Sequence, residues 1–116
     1  NFAKPEGINV GKHVSGSIAN MIHSLDGDCL HLTVCKLLDE GVTDIIMIHD
    51  SFSVLSGDAE VLARVLREVH AEVYAADVLE SIYLGFQQQT DVVLPQPPAL
   101  GALDVSDVLT STFFFS

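Results

Sequence analysis

From about Ser15 onward, apolar residues recur at three- and four-residue steps: Ile18, Met21, Ile22, Leu25, Cys29 and Leu32. That spacing places them on one face of a helix predicted over residues 14–40. Asn20, His23, Ser24, Gly27 and His31 fall on the other side, and Gly41 supplies a stop. The pattern then changes. Asp44-Ile45-Ile46-Met47-Ile48 is a short apolar run, rich in Ile, of the kind a buried strand uses. His49-Asp50-Ser51 interrupts it, and Phe52-Ser53-Val54-Leu55 resumes it. This order predicts a tight hairpin over 43–55 with His49-Asp50 near its tip, although the Asn-Gly signature of the strongest hairpins is missing.

Ser56-Gly57-Asp58 reads as a loop and helix cap. Val61, Leu62, Val65, Leu66, Val69 and Val73 then mark an amphipathic helix, with Glu60 and Arg64 as an i,i+4 ion pair. A further helix is expected from the cap Asp77 to about Gln88, so residues 58–89 are read as helical. Pro95, Pro97, Pro98 and Gly101 make an extended linker within 90–116, followed by one short helix between Asp104 and Ser111. Residues 1–13, with Pro5, Gly7 and Gly11, read as a loop. The expected fold class is α/β (α+β), mainly helical with one hairpin, in a single domain.

Composition narrows the function. The 116 residues are 48% hydrophobic, enough for a core, and no apolar run is long enough to span a membrane. Only 5 Lys+Arg oppose 16 Asp+Glu, a net charge of −11. A free-standing nucleic-acid binder is normally basic, so charge alone argues against that class unless a basic groove lies on another part of a larger assembly. The opening NFAKPEG has no signal-peptide pattern, and a start at Asn1 is read as a hint of upstream residues. Cys29 and Cys35 lack a CxxC spacing and are expected to be reduced core residues, as in a reducing compartment.

The chemistry-bearing candidates are few. A carboxylate at a hairpin tip is held by paired backbone on both sides, which suits Asp50 to metal binding. Mg²⁺ prefers one or two carboxylates plus phosphate oxygens, and two-metal phosphoryl transfer uses at least two acids. The other reading of Asp50 is a turn former. Local pattern leaves both open and names no second acid. His23 and Asn20 share a helical face with Gly27, and a glycine inside a helix costs roughly 1 kcal/mol relative to alanine. Close approach of another backbone or a nucleic acid is one reason to keep it. Three terminal phenylalanines left in water would forgo roughly 1.5–3 kcal/mol each, so the tail is expected to dock.

Three blocks resemble the single-subunit RNA polymerases of bacteriophages, mitochondria and chloroplasts. They are Asn20-Met21-Ile22-His23-Ser24-Leu25-Asp26-Gly27, then Ile48-His49-Asp50-Ser51-Phe52, then Pro98-Ala99-Leu100-Gly101 running to Phe113-Phe114-Phe115-Ser116. Tyr74-Ala75-Ala76-Asp77-Val78-Leu79 is also phage-like. The resemblance implies the C-terminal part of a right-hand polymerase fold, with His49-Asp50 on a palm-type hairpin. It implies that Asp50 binds catalytic Mg²⁺ together with an aspartate from an earlier motif. By the same resemblance His23 and Asn20 face the RNA–DNA hybrid, His49 supports the hairpin site, Gly27 lies beside it, and Phe115 and Ser116 help shape the active centre. Ser51 stands where related DNA polymerases of the A family usually carry Glu, which favours RNA synthesis.

The implied partners are a DNA template, the RNA product, nucleoside triphosphates and the remaining N-terminal part of the polymerase, with no membrane. The earlier metal aspartate, the nucleotide-gripping fingers helix and the promoter-binding region have no counterpart in these residues, so the chain alone is expected to be inactive. The implied location is a phage-infected host's cytoplasm, with the mitochondrial matrix as the alternative. Competing readings are an A-family-like DNA polymerase segment, a His-Asp phosphohydrolase and a non-catalytic interaction module using the acidic surface and aromatic tail.

Overall fold

The computed structural model describes residues 7–48 and 50–114. His49, Phe115 and Ser116 therefore lie outside the described residues. Helix α1 (Val10–Asp39) is followed by strands β1 (Ile45–Ile48) and β2 (Ser51–Val54), helix α2 (Ala59–Ala75) and helix α3 (Val78–Gln87). Short 3-10 segments at Ser56–Asp58 and Val105–Leu109 complete the order. The architecture is mainly helical with one small antiparallel sheet, in line with the expected class.

Helix α1 starts four residues before the expected boundary at 14. Asn9 caps it, its side chain accepting from the Lys12 amide at 3.0 Å, and Gly11 is taken into the first turn. At the other end Gly41 has φ +84°, a conformation that suits glycine. The Gly41 amide donates to Leu38 O and the Val42 amide to Leu37 O. These two bonds form a Schellman end, and Val42 packs back on the core beside Leu37.

The core is small. Leu37, Val42, Val65 and Val69 are buried, with Cys29, Ile45, Val54, Val61, Leu62 and Val73 packed partly against them. The valine and leucine spacing of α2 is thus matched by real cover from the C-terminal half of α1. Buried Thr33 satisfies its hydroxyl by donating to Cys29 O at 2.7 Å.

The stripe read along α1 needs correction. Ile18 and Ile22 are exposed, because no described element lies beneath the N-terminal half of the helix, and Leu32 in the C-terminal half is 37% exposed. Thirty residues at 1.5 Å rise make a rod of about 45 Å. The radius of gyration is accordingly 18.7 Å, against about 13 Å for a compact chain of this length.

Two further expectations shift. Arg64 pairs with Glu40, at the end of α1, and with Glu68 at 3.1 Å, not with Glu60. Glu40 ties α2 to another element, which a neighbour on α2 cannot do. Cys35 is exposed, and only Cys29 touches the core. Asp77 does cap α3, accepting from the Glu80 amide at 2.9 Å. The expected short helix near the end is the 3-10 segment, capped by Asp104, which accepts from both the amide and the hydroxyl of Ser106. Among the described residues no helix is long and apolar enough to cross a membrane.

Candidate active site at the hairpin tip

The register of the sheet pairs Ile48 with Ser51, which leaves only positions 49 and 50 in the loop. Asp50 therefore lies at the end of the sheet next to the paired Ser51, and its side chain is exposed. The hairpin end faces the middle of α1 across a cleft of about 570 Å³. His23, Asp26 and Gly27 line the α1 side, together with Cys29, Leu30 and Thr33. Asp50 and Phe52 come from the hairpin, and Leu66, Val69, His70 and Tyr74 from α2.

Three candidates from the sequence, Asp50, His23 and Gly27, therefore share one cavity although 23 positions separate Gly27 from Asp50 (50 − 27 = 23). Asn20 does not line it. It sits one turn earlier on α1, in a shallow depression with Lys12, His13, Gly16 and Ser17, and its carbonyl accepts from the Ser24 hydroxyl at 2.9 Å. Ser51 is exposed on β2 and does not line the cleft either.

A Cβ built on Gly27 would meet nothing within 4 Å. No described part of this chain comes close enough to require a glycine there. The open space belongs to the cleft.

Sequence reasoning did not single out His70 or Tyr74 for the site. Their i,i+4 spacing on α2 stacks the rings at 4.5 Å, which in a sequence looks like ordinary helix packing. Burial lowers the His70 pKa from its ordinary 6.5 and favours the neutral imidazole. Burial also raises the Tyr74 phenol and the Cys29 thiol, with Asp26 adding to both, so each is held protonated.

The cleft thus offers two carboxylates, Asp26 and Asp50, beside neutral or polar groups, and no described Lys or Arg lines it. A polyphosphate entering such a cleft meets like charge, so a cation has to accompany it. Among the described residues no group of three or more His, Cys, Asp or Glu is arranged to hold a metal ion. One or two carboxylates suit Mg²⁺, which keeps waters and takes phosphate oxygens for its remaining positions. Asp50 fits that need as a single ligand.

The family model for DNA-dependent RNA polymerase matches residues 1–94. DNA-directed RNA polymerase 1A of Nicotiana tabacum is 34% identical over 98 residues, covering 84% of this chain and 63% of the relative. The DNA-directed RNA polymerase of Enterobacteria phage T3 is 34% identical over 122 aligned residues, covering 100% of this chain and 14% of the relative. DNA-directed RNA polymerase 1, mitochondrial, of Arabidopsis thaliana is 36% identical over 98 residues, or 84% of this chain and 10% of the relative. The chain spans less than two thirds of these relatives' length. No solved structure matches it significantly. With the family model covering residues 1–94 and phage and mitochondrial relatives 34–36% identical over most or all of the chain, the chain belongs to the single-subunit DNA-dependent RNA polymerase family.

Proposed function

We propose that the chain supplies part of the catalytic centre for DNA-templated RNA synthesis, as the C-terminal portion of a right-hand polymerase. The observation that carries this reading is Asp50 at the tip of a two-residue hairpin loop, facing His23 and Gly27 of α1 across one cleft. The hairpin is the palm element, and Asp50 is a ligand to Mg²⁺ with a second aspartate from the remaining N-terminal part. When bound, Mg²⁺ supplies positive charge to the triphosphate and lowers the pKa of the attacking 3′-hydroxyl. His23 contacts the RNA–DNA hybrid at the cleft, and Asn20 continues that surface one turn along α1. His49 and Ser51 flank the metal-binding carboxylate, and the tail ending in Phe115 and Ser116 shapes the centre.

The rest of the polymerase is the principal partner. Ile18, Ile22, Ile46 and Ile48 are each more than half exposed, an apolar surface of the kind that marks docking onto another body. That body also supplies the basic groove for template and product, since the net charge here is −11. The phage-like Tyr74–Leu79 wording favours synthesis in an infected host's cytoplasm over the mitochondrial matrix.

Asp50→Asn in the complete polymerase tests the assignment. RNA synthesis on a promoter-free primed template should fall by at least about a hundredfold, the scale of losing one preorganised electrostatic group. Template binding should be unchanged. Near-normal synthesis would sink the metal-ligand role and leave the interaction-module reading in its place.

A further inference from the structure

One wall of the cleft is tied to the far end of the chain. Arg67 Nη1 donates to Ala63 O at 2.6 Å, and Nη2 donates to Ser111 O at 3.1 Å. The guanidinium carbon also lies 5.8 Å from the centre of the Phe114 ring. No described carboxylate forms an ion pair with Arg67. Its charge instead faces two carbonyls and an aromatic ring, an arrangement that the planar fork of arginine suits and lysine does not.

His70 stands three residues further along α2. Phe114 meets it edge-on with ring centres 4.9 Å apart, and Tyr74 stacks on it at 4.5 Å. His70 and Tyr74 line the cleft together with Asp50 and His23. The three rings therefore connect the tail to the cleft wall. Generic burial does not explain this seat, because the adjacent Phe113 remains 88% exposed. Phe114 is turned inward by directional contacts.

We infer that Arg67 and His70 are positioning residues for nucleotidyl transfer, seating Ser111–Phe114 so that the Phe114–His70–Tyr74 ladder sets the cleft wall beside Asp50. This rests on the reading that the cleft is the transfer site. Arg67 holds the backbone at Ser111, and His70 receives the ring of Phe114. Neither touches the reacting atoms.

The test uses the complete polymerase and two readouts. The first is hydrogen exchange of the 111–114 amides. Arg67→Ala should speed it at least about tenfold, while exchange in β1 and β2 stays unchanged. The second is a double-mutant cycle on kcat for single-nucleotide addition. Arg67→Ala and Phe114→Ala should each lower kcat about tenfold, and the double variant about tenfold as well. Arg67→Lys should not restore the rate, whereas His70→Phe, which keeps a ring, should exceed His70→Ala.

Unchanged exchange at 111–114, or losses that multiply to about a hundredfold in the double variant, would overturn the inference. A His70→Phe enzyme as poor as His70→Ala would do the same. Failure of the underlying reading shows separately, as synthesis that survives Asp50→Asn, and it leaves the exchange result standing.

Discussion

Leu37 is fully buried where α1 meets α2, and its neighbours in the core are Val42, Val65 and Val69. Leu37→Ala removes about three methylene-sized groups, worth about 0.8 kcal/mol each or about 2.4 kcal/mol in transfer energy. The void adds to this because its walls cannot easily close. Val42 is held by the Schellman bonds of the α1 end, and Val65 and Val69 lie on a continuous helix. The expected loss is therefore about 3–4 kcal/mol, in the upper part of the usual range for buried leucine. Leu38, the next residue, is 50% exposed and serves as the control, with an expected loss of about 1 kcal/mol. Urea denaturation of this chain followed by helical circular dichroism reads both. A Leu37→Ala loss under about 1 kcal/mol, or equal losses for the two variants, would refute the packing argument.

Two other outcomes are expected. Burial lowers the His70 pKa, so as pH falls below 6.5 the unfolded chain takes up the proton first and stability declines until folded His70 protonates too. Urea midpoints measured from about pH 7.5 down to 5 should show this decline, and His70→Phe should flatten it; an unchanged slope would contradict the burial assignment. Gly27→Ala should raise stability by about 0.5–1 kcal/mol, since its Cβ meets nothing and the site is mid-helix, yet lower RNA synthesis in the complete polymerase. A variant with both stability and synthesis at or above the parent level would remove Gly27 from the site.

The legible parts of the fold were those whose sequence pattern has a local cause. The spacing of Val61 through Val73 matched α2 because a real partner covers that face. The same reasoning applied to Ile18 and Ile22 showed which face of α1 is apolar, but not what covers it, and among the described residues nothing does. Asn9 was passed over because Gly7 and Gly11 look like loop residues, although an Asn cap can start a helix across a glycine. Glu60 seemed the partner of Arg64 because i,i+4 spacing is visible in a sequence, whereas Glu40 becomes a neighbour only once α1 and α2 pack. The position of Asp50 was readable because His49-Asp50-Ser51 breaks an apolar run that resumes at Phe52, and such a break marks a tip. Its shared cleft with His23 and Gly27 was not readable from local pattern, since it depends on how the hairpin leans on α1.

The charge of the cleft and the charge of the chain lead to one requirement. Asp26 and Asp50 face a cavity that no described Lys or Arg lines, so the field inside it favours cations and opposes free phosphate. A chain of net charge −11 does nothing to offset this at longer range. An acidic cleft can therefore serve phosphoryl chemistry only if the substrate arrives with divalent cations and its remaining phosphates are held by basic groups from elsewhere. Gly27 adds a steric counterpart to that electrostatic demand. It keeps a helix face open toward the cleft at a cost of roughly 1 kcal/mol that no internal contact offsets. A turn-stabilising role for Asp50 alone explains neither the second acid nor the open helix face. The proposed site, completed by metal, nucleic acid and the rest of a polymerase, would account for both.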